Sequence, residues 1–257
     1  MKQVIFSVVM ALWALSCSAQ SAVLASAESA ARYELVSDAS TLAAGDKIII
    51  VCCTDGTGNY HRQALSTIQN TDNRASTDIT KNADGTISIT DNTAVIELGG
   101  ESGKWTFYVT NGSTTGYLCA ASSTKNRLLT KATVDNNSKA TISIASTSDN
   151  ATIKFQGNYT NRMLLFNTGG LFSCYSNTSS STRYPQIYRR IKALHDINQD
   201  GILSVADVTA LVEILLDKDD LSPYEYDHDA ADVNGDEAIT IADVTALTNL
   251  LLEKVSE

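Results

Sequence analysis

The sequence predicts a multidomain chain in which an all-β antiparallel domain, a β-trefoil or closed β-barrel, precedes a small all-α domain. Three observations predict it. From residue 32 to 191, apolar and polar residues alternate in short bursts broken by Gly, Asn, Asp and Ser, the period-two pattern of antiparallel strands and turns. The last quarter changes to a helical period and repeats itself at an offset of 36 residues. Charge divides at the same place: residues 1–193 carry 17 Lys and Arg against 13 Asp and Glu, whereas residues 194–257 carry 2 against 16. At 257 residues and 43% hydrophobic content the chain can build two cores, which excludes a collagenous or disordered class. The acidic tail argues against nucleic acid or an anionic membrane as its partner and favours cations or a basic surface.

The amino terminus reads as a signal peptide over residues 1–19. Lys2 supplies the positive start, and the apolar stretch from Val4 to Leu15 is too short to span a bilayer, which takes about 20 residues. Small residues at Cys17 and Ala19 suit cleavage after Ala19, leaving Gln20 as the new end. This resembles the secreted proteins of Bacteroidetes-type bacteria, in which Gln often follows the cut. Acylation of Cys17 is the lipoprotein alternative, but Ala14 stands where such motifs usually carry Leu. No later apolar run has membrane-spanning length, so the expectation is a secreted or cell-surface protein without a membrane span. In that compartment Cys52, Cys53, Cys119 and Cys174 permit three disulfide pairings. The neighbours Cys52 and Cys53 would face opposite sides of one strand, and free buried thiols stand as the alternative to any bridge.

The β domain opens with the strand Asp46 to Val51 and then repeats. A gapless match at an offset of 46 pairs Ile96, Leu98, Phe107, Val109 and Leu118 with Ile142, Ile144, Ile153, Phe155 and Leu164. Turn sequences echo three times, in GNYHRQAL at 58–65, TGYLCAA at 115–121 and GNYTNRMLLF at 157–166. Three echoes suggest a threefold trefoil; the first lacks the flanking strand match, which leaves a closed barrel or a sandwich open. YELVSDASTLAAGDKIIIV at 33–51, KWTFYV at 104–109, NRMLLFN at 161–167 and YPQIYRR at 184–190 resemble a poorly characterised accessory β domain of secreted bacterial hydrolases and nucleases. That resemblance implies an accessory role and transfers no catalytic residue.

Signs of chemistry in this domain are sparse. His61 is its one histidine and no G-x-S-x-G elbow supplies a nucleophile. Asp84, Asp91, Glu97 and Glu101 sit at turns and strand ends and read as solvated carboxylates rather than a glycosidase pair. Trp105, Tyr108, Tyr117, Tyr159 and Tyr175 offer flat faces for carbohydrate, although Trp105 shares a strand face with Phe107 and competes for the core. The leading expectation is a non-catalytic binding protein, and a small hydrolase is the alternative.

The strongest signal lies in the duplicated tail. DINQDGILSVADVTALVEILL at 196–216 overlies DVNGDEAITIADVTALTNLLL at 232–252 without a gap. Each copy places oxygen side chains at loop positions 1, 3 and 5, Asp196, Asn198 and Asp200 in one and Asp232, Asn234 and Asp236 in the other. Asp207 and Asp243 close the two twelve-residue loops. Calcium takes six to eight oxygens, and this spacing wraps a loop round one ion, with the backbone carbonyls of Ile202 and Ala238 at position 7. Two calcium ions are therefore expected. His195 and His228 stand beside aspartates, but hard oxygen ligands dominate and a transition metal is not expected. After each loop the period becomes helical, through Val205, Val208, Leu211, Val212, Leu215 and Leu216 with Ser204 as N-cap, and through Thr240, Ile241, Val244, Leu247 and Leu251. No entering helix is legible before either loop, and 217–231 reads as an acidic solvated segment.

Half an EF-hand, duplicated, resembles the type I dockerin family over residues 194–257. The resemblance implies that the oxygen residues named above are calcium ligands. It implies partner recognition at Val205, Ala206, Val212 and Glu213 and at Ile241, Ala242, Thr248 and Asn249. It also implies a cohesin-type scaffold module as partner and a link to extracellular polysaccharide degradation. Two features depart from the family pattern. Glu237 stands at loop position 6, where Gly201 stands in the first copy, and the recognition pairs are apolar where many dockerins carry hydroxyls. A terminal domain stapled by calcium, with no cohesin partner, is the alternative.

Overall fold

The protein is described by a computed structural model over residues 31–52, 62–199, 201–216 and 227–255. The expected signal peptide with Cys17, and Cys53, His61 and Asp200, lie outside the described residues. The chain divides into two units, Arg32–Arg190 and a second that includes Ile191–Glu257.

In the first unit the strands are β1 (Arg32–Leu35), β2 (Lys47–Cys52), β3 (Gln63–Gln69), β4 (Arg74–Asp78), β5 (Thr80–Lys81), β6 (Ile87–Ser88), β7 (Ile96–Gly99) and β8 (Trp105–Val109). They continue as β9 (Gly116–Ala120), β10 (Leu128–Lys131), β11 (Lys139–Ile144), β12 (Ala151–Phe155), β13 (Met163–Asn167), β14 (Leu171–Tyr175), β15 (Thr182–Arg183) and β16 (Gln186–Arg190). The pairings β16–β2, β2–β7, β7–β8, β8–β11 and β11–β12 run round a ring. The Ala151 N–H closes it by donating to the Pro185 carbonyl at 2.7 Å. Three hairpins, β3–β4, β9–β10 and β13–β14, follow barrel strands β2, β8 and β12 and pair with them. A six-stranded barrel with three hairpin caps is a β-trefoil, so the sandwich alternative falls away.

The threefold repeat is visible in the core. Ile187 faces Ile50, Leu98 faces Phe107 and Ile142 faces Ile153, one apolar couple in each equivalent pair of barrel strands; five of the six belong to one buried hydrophobic cluster and the partly buried Ile142 packs against it. These couples correct the sequence alignment by two residues on one strand. The offset of 46 sets Leu98 over Ile144, whereas the ladder sets it over Ile142. A strand repeats its facing every two residues, so a two-residue slip leaves the hydrophobic pattern intact and the sequence alone does not detect it. The first repeat matched poorly for another reason: β5 and β6 are inserted between β4 and β7, and the β2-to-β3 connection is longer, 53–62 against 110–115.

One position breaks the symmetry inside the protein. Leu65, Leu118 and Leu164 face Ser76, Thr130 and Cys174 across the three cap hairpins. Counting two residues back makes Arg74 the counterpart of Leu128 and Phe172, and Arg74 is fully buried. The register of β3 against β4 shifts between Leu65 and Gln69. A bulge of that kind takes carbonyls out of the ladder. The Arg74 guanidinium supplies their donors, reaching Ser66 O at 3.1 Å and Thr67 O at 3.3 Å with one nitrogen and Thr114 O at 2.8 Å and Thr130 Oγ1 at 2.7 Å with the other. Burial pushes its pKa down to about 10, which leaves it charged at neutral pH.

In the second unit, α1 (Val205–Leu215) and α3 (Ile241–Val255) pack together, with a single helical turn α2 (His228–Ala231) before the second loop. That turn corrects the expectation of an entirely irregular connector. Asp227 caps it by accepting from the Asp229 and Ala230 amides. The core draws on equivalent positions 36 apart: Leu211 and Leu247, Val208 and Val244, Leu203 and Ile239, and Ile197 and Val233.

Arg74→Leu matches Leu128 in chemistry yet strips the bulge carbonyls of their donors. It is expected to cost about 3–5 kcal/mol, since each orphaned buried polar group costs about 1–3 kcal/mol. Urea denaturation measures this, and an unchanged midpoint would contradict the role given to Arg74.

Candidate metal centre and docking face

The two loops are built on the same plan around their closing aspartates, both fully buried. Asp207 Oδ1 accepts from the amides of Ile197 at 2.9 Å and Asn198 at 3.2 Å, and Oδ2 from that of Ser204 at 2.8 Å. Asp243 Oδ1 accepts from Val233 at 2.9 Å and Asn234 at 3.1 Å, and Oδ2 from Thr240 at 2.8 Å. Each aspartate is also the third residue of the exiting helix. The Ser204 hydroxyl accepts from the Ala206 amide at 3.1 Å and that of Thr240 from the Ala242 amide at 3.1 Å, so a single carboxylate closes the loop and completes the helix cap. Burial alone would raise the Asp243 carboxyl; the amides of Thr240, Asn234 and Val233 and the Thr240 hydroxyl outweigh it and hold the group below its ordinary value.

Carboxylate oxygens of Asp232, Asp236 and Asp243 all lie within 4.8 Å of one another. Three negative charges at that spacing repel by about 1 kcal/mol per pair even in water. Hard oxygens so placed fit a calcium ion, and Asp232, Asp236 and Asp243 are the residues that would hold it. Amides turn towards Asp232 as well: Gly235 and Asp236 donate to Oδ1 at 2.9 and 3.1 Å and Glu237 to Oδ2 at 2.9 Å. In the first loop Asp196 is buried and accepts from the Gly201 amide at 2.7 Å. Ile202 and Ala238 occupy position 7 at the surface; Asn198 is half-buried and Asn234 exposed.

Both loops turn through left-handed backbone at positions 4 and 6. The φ angles are +56° at Gln199 and +86° at Gly201 in the first loop, and +73° at Gly235 and +68° at Glu237 in the second. Glu237, which replaces the glycine of position 6, is therefore strained, and the first loop carries its own strain at Gln199. Each loop has one glycine and one strained side chain with the positions exchanged, a symmetry that reading position 6 alone missed. The signal was in the sequence, since Gln199 lies opposite Gly235 at the offset of 36.

The residues just before the closing aspartates, at the starts of the exiting helices, stand out in solution. Val205 and Ile241 are each 72% exposed, and Ala206 and Ala242 beside them are exposed. Farther along, Val212 and Glu213 are half-buried whereas Thr248 and Asn249 are exposed, so the copies diverge there. In the trefoil the expected aromatic faces separate. Trp105 is only 5% exposed and belongs to the core cluster, which removes it as a stacking platform. Tyr108 and Tyr117 are cross-strand partners meeting edge to face at 5.0 Å, and Tyr159 is 36% exposed. Cys119 and Cys174 are free, buried thiols, and burial pushes both up in pKa; Cys52 is buried too.

Two outcomes follow. Glu237→Gly and Gln199→Gly, each releasing left-handed strain of about 1 kcal/mol, are expected to tighten calcium binding at their own loops by roughly fivefold in calorimetric titration; weaker binding would contradict the loop geometry. Trp105→Ala is expected to cost about 3–5 kcal/mol in thermal unfolding, and an undisturbed melting temperature would return Trp105 to the surface.

No curated protein matches the chain. Among solved structures, a Polyporus squamosus lectin, bound in its crystal to a human-type influenza-binding epitope, aligns with 57% of this chain and 50% of its own at 20% identity and a TM-score of 0.38. The matched part thus spans half of that lectin's length. The family model of the dockerin type I domain matches residues 194–252. That segment of the chain is a type I dockerin, a module that binds calcium and docks onto cohesins.

Proposed function

We propose that the chain is a secreted, non-catalytic binding protein. Its dockerin holds two calcium ions, one in each loop, and docks onto a cohesin-type scaffold, delivering the trefoil to extracellular polysaccharide. The first ion would be held by Asp196, Asn198, Asp200, Ile202 and Asp207, and the second by Asp232, Asn234, Asp236, Ala238 and Asp243. The observation that carries the docking is the equal 72% exposure of Val205 and Ile241 at the two helix starts. Isolated apolar residues so exposed on two related faces, each followed by an alanine, suit a partner that buries either one. The basic start at Lys2 and the apolar stretch after it support export.

Because the two copies supply equivalent core positions at a constant offset of 36, the helix starts offer similar apolar faces, and a cohesin can meet either in orientations related by a half-turn. Charging one face through Val205→Asp with Ala206→Asp is expected to weaken binding only modestly, by a few-fold. Charging both, with Ile241→Asp and Ala242→Asp added, is expected to abolish it. Pull-downs against cohesin modules of the same genome, in calcium and in chelator, provide the measurement. If calcium-loaded, folded wild type captures no cohesin, the calcium-stapled terminal domain replaces this reading; if one charged face alone abolishes capture, the two-orientation docking fails.

A further inference from the structure

Strands β1, β5 and β6 have no counterpart in the other two trefoil repeats. They carry the sheet outward from the barrel in the order β16–β1–β6–β5. Tyr33, Glu34 and Leu35 face Arg190, Arg189 and Tyr188 along one edge of β16. On the same edge the chain returning from the β11–β12 turn bonds at Pro185, and Gln186 Nε2 donates to the Ser148 carbonyl of that turn at 3.3 Å. Added sheet and barrel turn thus share one strand, and a cleft of about 500 Å³ is lined from both. From the added sheet come Glu34, Lys81 and Asp84, and from the turn Thr147, Ser148 and Asp149. The buried Tyr188 and half-buried Gln186 of β16 complete the lining.

The chemistry of this lining is mixed and nearly balanced in charge. Arg189 engages Glu34 at 3.0 Å, and Arg32 pairs with Asp84, whose other oxygen takes the amide and hydroxyl of Thr86. Asp149 and Lys81 contribute one charge of each sign. An inorganic anion would face three carboxylates, and a divalent cation would face a lysine together with carboxylates already engaged by arginines. Hydroxyls, an amide, carboxylates and a phenol around an open cleft instead suit a neutral ligand dense in hydroxyl groups, which gives and takes hydrogen bonds at every ring position. The volume lies within the range of small-ligand sites, about 300–1,000 Å³.

We propose that this cleft binds a short neutral saccharide, one per chain. The stoichiometry follows from the construction, because the strands forming one wall exist in a single copy while the barrel repeats three times. This rests on the proposed carbohydrate role of the trefoil but is independent of cohesin docking, which the pull-down reads separately.

Titration calorimetry on the full chain in calcium, with cellotetraose, xylotetraose, mannotetraose, galactose and N-acetylglucosamine as probes, tests it. At least one probe is expected to bind at one equivalent per chain. Asp149→Gly combined with Thr147→Val should weaken that binding at least tenfold. Glycine suits the φ of +54° at Asp149 and valine is isosteric with an exposed threonine, so the fold is spared. Tyr108→Ala, at the half-buried tyrosine pair of β8 and β9, should leave affinity within twofold. The proposal is overturned if folded wild type binds none of the five probes, if it binds two or three equivalents, if the double variant binds as wild type does, or if the loss follows Tyr108→Ala. Should the double variant melt early, Ser148→Ala is read by the same criteria.

Discussion

The dockerin depends on a buried carboxylate at the end of each loop. Asp207 and Asp243 are charged groups without exposure, a condition tolerable only where donors surround them. Three loop amides supply that surrounding in each copy, and the same side chain fixes the first turn of the helix that follows. Loop curvature, helix start and the outward position of Val205 and Ile241 are therefore one event. A helix whose third residue is the loop's own closing aspartate has to present its first exposed residues beside the metal centre. Calcium binding and the proposed docking faces would thereby be linked through a single side chain, without a long path between them.

In the trefoil the corresponding constraint is closure. The barrel is sealed by pairing β2 with β16, strands at opposite ends of the domain, and the cap hairpins are satisfied only when β4 also meets β14. Contacts of this length in sequence gain nothing until the whole chain between them has collapsed. Such a fold leans on consistent facing of its apolar residues, and the three couples Ile187–Ile50, Leu98–Phe107 and Ile142–Ile153 show that consistency. Where β3 bulges, the pattern fails locally and a buried arginine replaces the hydrophobic side chain used in the sister repeats.

Legibility in the sequence follows the range of the interactions. The calcium loops, Ser204 as a cap and the helical faces were readable because every partner lies within a dozen residues and the duplication supplies an internal control. The trefoil was readable as a repeat, but not its register, since a two-residue slip preserves every facing. Arg74 was not readable at all, because its need arises from carbonyls exposed by a bulge that no residue pattern announces. Trp105 was ambiguous for a related reason. Its alternation with Phe107 fixed which face it shares, and only the closed barrel decides that this face is inside. Asp84 read as a solvated turn residue because Asp84 and Asp149, 65 positions apart, come to one cleft only through β16.

The two domains treat their internal symmetry in opposite ways, and the contrast bears on what each does. In the dockerin the copies keep equal exposure at Val205 and Ile241, matched caps and exchanged but equivalent strain at Gln199 and Glu237. Equality of that kind is useful when one partner surface meets either copy. In the trefoil most departures collect in the first repeat and at its edge, a bulge, a buried arginine, an inserted β5–β6 hairpin and an added β1, with the short β15 added in the third. A threefold scaffold offers three equal surfaces, and adding elements to one side makes one surface unlike the others. The dockerin thus preserves redundancy, whereas the trefoil concentrates its polar lining in a single place, the division of labour that the proposed anchoring by one half and recognition by the other would require.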